Sequence, residues 1–148
     1  MSRILIFAQR FPPSVGGTPT VLRNLTQALP PDRLAVISLA DASGQGLWET
    51  AFPQVRLARP SRLLRRLDPT LFSRIPRVMR QAARLCPRED TDAIVGVFQN
   101  TCFLIAAWRL ARRWRKPFFP YFLDTWGETR SRWIKRAIAR RLEPRMFR

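Results

Sequence analysis

The sequence contains no histidine and only two cysteines, Cys86 and Cys102, among its 148 residues. Without an imidazole, the chain has no Ser-His-Asp triad, no Cys-His pair and no histidine ligand for a metal. Two cysteines alone do not form a structural zinc site. We therefore expect no site that needs an imidazole and no structural zinc site.

Long hydrophobic runs are also missing. The apolar run over residues 4–8 is too short for the apolar region of a signal peptide. The stretch over residues 93–108 is interrupted by Gln99 and Asn100 and falls short of the roughly 20 residues that a membrane-spanning helix needs. These absences predict a cytoplasmic protein in which both thiols stay reduced.

Acidic residues and lysines are scarce. The chain has 27 Lys+Arg against 10 Asp+Glu, a formal net charge of +17, and only two of the basic residues are lysines. The base composition of the genome is one explanation for this arginine excess, and a polyanionic partner is the other. The hydrophobic share of 46% is that of a folded domain, which excludes a disordered basic tail.

Apolar runs alternate with helical patterns along the chain. Continuous apolar runs predict strands at residues 4–8, 34–39, 93–98 and 118–123, with a shorter one at 55–58. Helical spacing predicts helices at residues 18–29, 72–85 and 101–114 and a last helix from Glu128. The alternation predicts one α/β domain with a Rossmann-like, doubly wound parallel sheet.

The helix predicted over residues 72–85 has one apolar and one basic face. Arg74, Arg77, Arg80 and Arg84 occupy the basic face. This layout is typical of a helix whose arginines bind an anionic membrane while its apolar side chains enter the headgroup region. It predicts contact with the inner face of the plasma membrane. Nucleic acid is the weaker alternative, because the chain has no recognised nucleic-acid-binding motif.

Gly16 and Gly17 lie between the first predicted strand and the helix that Thr18 and Pro19 are expected to begin. Two glycines at a helix N-terminus let backbone N–H groups approach an anion, and the helix dipole favours negative charge there. A phosphate is the natural ligand. A plain tight turn is the alternative, because the pattern is neither a dinucleotide fingerprint nor a P-loop.

Several segments occur in an order and spacing found in a known family. They are Ile4-Leu-Ile-Phe-Ala, Phe11-Pro-Pro-Ser-Val-Gly-Gly, residues 22–29, Asp92-Ala-Ile-Val, Trp108-Arg-Leu-Ala-Arg-Arg, Lys116-Pro and Phe122-Leu-Asp-Thr-Trp-Gly-Glu. Together they resemble the N-terminal domain of family 4 glycosyltransferases of the GT-B type, over most of the chain. In that family a strand leads into a Pro-Pro-x-x-Gly-Gly loop and then a long helix.

The resemblance implies a retaining, metal-independent transfer of a sugar from a nucleotide sugar to a glycan or lipid-linked acceptor. It implies that residues 1–148 form the acceptor-binding domain, with Gly16 and Gly17 against the donor diphosphate. The family's C-terminal domain, which holds the nucleotide, has no counterpart here, so we expect this chain to need that domain or a second subunit for activity. A non-catalytic basic module that binds membrane or nucleic acid is the alternative.

Asp124, at the end of a predicted strand, is the candidate catalytic residue. The family often has a His-Asp or Arg-Asp pair there, whereas Leu123 precedes the aspartate in this chain. An acceptor hydroxyl contact is one interpretation, and an Asx turn that opens the last helix is the other. Trp126 and Glu128 are candidate acceptor-binding residues, or a buried tryptophan and a first-turn glutamate.

Gln99 and Asn100 follow an earlier predicted strand and are polar where the flanking residues are apolar. Because the carboxyl ends of parallel strands meet at one edge of a sheet, these side chains are also candidates for acceptor binding. The alternative is that they cap the helix that begins near Thr101.

Overall fold

Five parallel strands form the centre of the fold. The computed structural model describes residues 3–12, 17–40, 52–59, 61–63, 71–98, 100–122, 140–141 and 144–146. The strands are β1 (Arg3–Phe7), β2 (Leu34–Leu39), β3 (Gln54–Leu57), β4 (Thr91–Phe98) and β5 (Phe118–Phe122). The helices are α1 (Gly17–Thr26), α2 (Ile75–Leu85) and α3 (Thr101–Trp114). Short 3-10 turns cover Pro31–Arg33, Phe72–Arg74 and Arg88–Asp90.

The strand order in the sheet is β3-β2-β1-β4-β5, and every neighbouring pair is parallel. Helices flank this sheet, so the predicted Rossmann-like α/β fold is confirmed. In the register of the two central pairings, Ile6 of β1 lies beside Val36 of β2 and Val95 of β4. A strand between two parallel neighbours is covered on both faces, which explains the unbroken apolar run of β1.

The sheet separates two hydrophobic cores. Successive residues of a strand point to opposite faces, so Leu5 and Phe7 belong to one core and Ile6 to the other. The first core lies under α2 and α3. The second includes Leu22 of α1 and Phe11 from the β1–α1 connection. Both faces of the central strands are thus removed from water, as the sequence predicts.

Gly96 lies in β4 where α3 crosses the sheet most tightly. A Cβ atom at this position would stand 3.0 Å from Phe118 Cε2, 3.1 Å from Leu104 Cδ1 and 3.2 Å from Ala107 Cβ. Real Cβ atoms are rarely this close to other heavy atoms, so a side chain here would force these neighbours to shift by a few tenths of an ångström. The close approach of α3 to β4 and β5 therefore depends on a glycine here.

Helix α1 differs from its prediction at both ends. It begins at Gly17 rather than after Thr18, and it ends at Thr26, before the predicted apolar stripe is complete. Leu25 is 54% exposed and Leu29 is 37% exposed, whereas Leu22 is buried. The early end has a local cause, because a residue before proline avoids helical geometry and Leu29 precedes two prolines. The helix predicted from Glu128 lies mostly outside the described residues. After Phe122 the structure describes only residues 140–141 and 144–146, and these are helical.

Candidate functional site

From β1 the chain adds β2 and β3 on one side of the sheet, and then β4 and β5 on the other side, so the direction in which strands are added reverses between β1 and β4. From β1 the chain crosses through α1 to β2 on one side, and from β4 it crosses through α3 to β5 on the other. The two helices pack on opposite faces of the sheet. In open α/β sheets such a point leaves a crevice outside the carboxyl ends of the strands, where ligands bind. The crevice between the β1–α1 and β4–α3 connections is the candidate site.

The start of the β1–α1 connection is held firmly in place. The N–H of Ala8 donates to the carbonyl oxygen of Ile37 over 3.0 Å, which extends the pairing of β1 with β2 past the strand. Phe11 is buried and meets Phe52 edge to face, with ring centroids 5.4 Å apart. An edge-to-face aromatic pair fixes ring orientation as well as burying area. One wall of the crevice is therefore anchored by packing.

Gly17 opens α1 beside this wall and is exposed. Among the residues that the structure describes, a Cβ atom built on Gly17 meets no atom within 4 Å, and the backbone of Gly17 is not in the left-handed region. The fold itself therefore does not require glycine at this position. The neighbouring Gly16, the other residue expected to contact phosphate, lies outside the described residues.

Asn100 caps α3 on the other side of the crevice. Its Oδ1 accepts a hydrogen bond of 2.8 Å from the backbone N–H of Cys102, and its backbone is extended, with φ −150° and ψ 125°. This is the capping arrangement that the sequence offered as one alternative. The cap occupies Oδ1 and leaves the Nδ2 amide as a donor that the cap does not use. Gln99 lies outside the described residues.

We expect Asn100→Ala to lower the free energy of unfolding by about 1 kcal/mol, because one orphan N–H of α3 loses its acceptor. Asn100→Asp is the matched control, since its carboxylate keeps an acceptor in the same place and also favours the helix N-terminus. Urea unfolding followed by circular dichroism measures both. Equal stability of Asn100→Ala and the wild type would contradict a stabilising role for the cap.

The three remaining candidates, Asp124, Trp126 and Glu128, lie outside the described residues. Strand β5, which precedes them in the sequence, ends at Phe122 beside β4. Their assignment as catalytic and acceptor-binding residues stays a prediction.

The arginines expected to contact a membrane lie on α2 and in the 3-10 turn that precedes it. Arg77, Arg80 and Arg84 are exposed, whereas Arg74 is partly buried and donates from Nη2 to the carbonyl oxygen of Ala58 over 2.6 Å. The apolar face of α2 is buried in the first core, with its central residue Val78 at 1% exposure. The expectation that these apolar side chains enter a membrane is therefore wrong for the folded chain. Phe72, which precedes α2, is the large apolar side chain of the predicted face that is exposed, at 38%. Membrane contact by the arginines stays a prediction.

A second concave region, which the sequence patterns did not indicate, lies at the opposite edge of the sheet. It is a pocket of about 520 Å³ at the C-terminal end of α3. Its described lining residues are Trp108, Ala111, Arg112, Arg115, Lys116, Phe118, Arg145 and Met146. The sequence signal that could have found it is Trp108 with Arg112 and Arg115 on one helical face. Nothing local links that face to Arg145, some 30 residues later.

No protein-family model, curated protein or solved structure matches the chain. In the described part of the chain, no helix has the length and apolar character needed to cross a bilayer. Those same residues contain no group of three or more Cys, Asp or Glu side chains arranged to hold a metal ion.

Proposed function

We propose that this chain is the acceptor-binding half of a GT-B glycosyltransferase that transfers a sugar from a nucleotide sugar to a glycan or lipid-linked acceptor. The observation that carries the proposal is the strand order β3-β2-β1-β4-β5, with its change of direction between β1 and β4. Among the segments that resemble the family, Phe11-Pro-Pro-Ser-Val-Gly-Gly follows β1 in the sequence, and Phe122-Leu-Asp-Thr-Trp-Gly-Glu begins at the last residue of β5. Topology and resemblance thus point to the same edge of the sheet.

In this proposal Gly17, together with Gly16, lies against the donor diphosphate. The support is the open space around Gly17, since a backbone free of side chains lets phosphate oxygens reach the N–H groups at the start of α1. Since the fold does not require glycine at position 17, its presence there is consistent with a requirement set by the bound diphosphate. The Nδ2 group of Asn100, across the crevice, is a donor for an acceptor hydroxyl, with Gln99, Trp126 and Glu128 as further acceptor contacts.

The reaction requires a second domain. A single wall of a cleft cannot both hold the donor in line with the acceptor and exclude water from the reacting carbon. The nucleotide-binding wall is supplied from outside residues 1–148, by the same polypeptide or by a partner. Asp124 is the candidate carboxylate on this side of the cleft, and transfer proceeds with retention and without a metal or cofactor.

Purification of the tagged chain from its native cells, followed by intact mass measurement, tests this proposal. We expect a longer form of the chain, or a complex with a second polypeptide, that transfers label from a radioactive nucleotide sugar to an endogenous acceptor. The isolated 148-residue chain is the control and is expected to show no turnover. Turnover by the isolated chain, or an assembled species that leaves every nucleotide sugar intact, would contradict the proposal.

A non-catalytic basic module is the second candidate, favoured by the exposed arginines Arg77, Arg80 and Arg84 on one helix. Because the apolar face of α2 is buried, this module would hold an anionic membrane mainly by charge, and its binding would weaken steeply with salt. Recovery of the chain by itself, with anionic lipid and no transferase activity, supports this alternative over the first. Nucleic acid would be bound through the same charges and with the same salt dependence.

A further inference from the structure

The pocket at the C-terminal end of α3 combines an apolar floor with a cationic rim. Three parts of the chain form it: one face of α3, the residues that lead into β5, and the described residues near the C-terminus. Met146 is 6% exposed and belongs to the first core, which anchors the C-terminal part. The volume, about 520 Å³, is within the range of small-molecule sites, about 300–1,000 Å³.

Four cationic side chains surround this pocket: Arg112, Arg115, Lys116 and Arg145. None of the described residues that line it is acidic. Four like charges around one concave surface repel each other, and a bound anion relieves that repulsion. A single carboxylate would neutralise only one of them. A phosphate or diphosphate, with more charge and more acceptor oxygens, matches the set better.

The carbonyl groups at the end of α3 do not take up the hydrogen-bond donors of these cationic side chains. The backbone N–H of Arg115 donates to the carbonyl oxygens of Ala111 and Arg112, and that of Lys116 donates to Ala111 over 3.0 Å. The helix end is therefore capped by its own backbone, in a Schellman-like arrangement. The guanidinium and ammonium groups around the pocket stay available to a ligand.

Two details describe how the cations of the pocket are held. The Arg112 guanidinium lies over the Trp108 ring, 5.3 Å from its centroid, which restrains the arginine. Arg115 adopts the left-handed conformation, with φ 56° and ψ 44°, where helix ends ordinarily have glycine. The fold would favour glycine at position 115, yet the chain has a cation.

We propose that this pocket binds an organic phosphate. Its phosphate oxygens accept hydrogen bonds from Arg112, Arg115, Lys116 and Arg145, and its apolar body lies on Trp108 and Phe118. The site is at the opposite edge of the sheet from the crevice between β1 and β4, so it is independent of the proposed glycosyl transfer. The ligand is either a soluble phosphate ester or the headgroup of a phospholipid, which share this chemistry.

Isothermal titration of the 148-residue chain with pyrophosphate at fixed ionic strength tests the site. We expect saturable binding at one site, weakened about tenfold by Arg112→Gln, since one charge-assisted hydrogen-bonding group is lost. Arg113→Gln is the matched control, because it also removes one exposed arginine of α3 but does not line the pocket. Equal weakening by both variants, or heat that never saturates, would show attraction by net charge only and overturn the proposal.

Arg115→Gly separates binding from folding. Because glycine suits the left-handed position, we expect this variant to melt at a higher temperature than the wild type while binding pyrophosphate about tenfold more weakly. A variant that is more stable and binds unchanged would remove Arg115 from the site and contradict the assignment.

Two further titrations define the ligand class. Phenyl phosphate is expected to bind about fivefold more tightly than methyl phosphate, because its ring packs on the aromatic floor, and equal affinities would refute the role of Trp108 and Phe118.

Phosphatidylcholine vesicles with and without phosphatidic acid distinguish a lipid headgroup from a soluble phosphate as the ligand. Vesicle capture that pyrophosphate reverses, and that Arg112→Gln reduces, assigns the site to a lipid headgroup. Saturable pyrophosphate binding without such capture assigns it to a soluble phosphate.

Discussion

Gly96→Val is expected to lower the free energy of unfolding by about 3 kcal/mol, near the upper end of the usual cost of overpacking. Even the first added carbon would lie 3.0–3.2 Å from three side-chain atoms, which belong to β5 and to two positions of α3. The two remaining carbons of valine enlarge the conflict. Because β4 is paired with β1 on one side and with β5 on the other, we expect the side chains of Phe118, Leu104 and Ala107 to take up most of the shift.

Urea unfolding measures this loss, with the slope of the transition as a check that the unfolded state is unchanged. Gly96→Ala is the graded control and is expected to cost about 1–3 kcal/mol, since it adds only the first carbon. Wild-type stability in both variants would mean that α3 moves away from the sheet at little cost. That result would contradict the tight crossing of α3 over β4.

Gly17→Val is expected to reduce kcat/KM of the assembled transferase about a hundredfold, the size of effect seen when one backbone donor to a developing or bound oxyanion is lost. A branched side chain at the start of α1 would fill the space through which the donor diphosphate reaches the backbone N–H groups. The KM for the nucleotide sugar should rise as well, because the diphosphate is held before as well as during the reaction.

The same substitution should leave the fold nearly unchanged. In the described part of the chain no atom lies within 4 Å of the added Cβ, so we expect the free energy of unfolding to change by less than about 0.5 kcal/mol. The two Gly→Val variants thus have opposite signatures: position 96 affects stability and position 17 affects transfer. An active Gly17→Val enzyme with unchanged donor affinity would favour the tight-turn interpretation of the glycine pair and contradict the phosphate role.

The proposals for the two sites are tested independently of each other. The crevice between β1 and β4 needs a second domain before it can be assayed for transfer, whereas the basic pocket is accessible to titration in the isolated chain. Loss of pyrophosphate binding in Arg112→Gln says nothing about Gly17, and loss of transfer in Gly17→Val says nothing about Arg112. If both hold, the chain binds phosphates at opposite edges of one sheet.

The strands could be read from the sequence because their signal is local. The strand predicted over residues 34–39 matches β2 at both ends, and the predicted helix over residues 101–114 matches α3. The weaker prediction over residues 55–58 is confirmed as β3, one residue earlier in the chain. Each of these segments carries its pattern within a few residues, and burial on both faces of a parallel sheet makes that pattern strong.

The role of α2 could not be read in the same way. A helix with one apolar and one basic face fits the surface of a protein core as well as the surface of a membrane. The sequence shows which residues form the two faces of this helix but not which elements pack against them. In the fold, Ile75, Val78 and Ala82 of the apolar face are buried in the first core, whereas Arg77, Arg80 and Arg84 are exposed.

Asn100 shows a similar limit on the site. Its position after a strand and before a helix is compatible with both a cap and a ligand contact, and the hydrogen bond to Cys102 settles only how its Oδ1 is used. The glycine pair is a comparable case. Sequence alone gives the residue type at position 17, whereas the space around it comes from the arrangement of β1, α1 and β2.

By itself the sequence determined which segments are strands and helices, the α/β class and the strongly basic charge, because each depends on composition or on spacing between near neighbours. The tertiary structure decided the strand order, the face on which each helix packs and the tight crossing at Gly96. It also brought Arg145 to the same pocket as Arg112. Such features depend on contacts between residues far apart in the chain, and no local periodicity specifies those contacts.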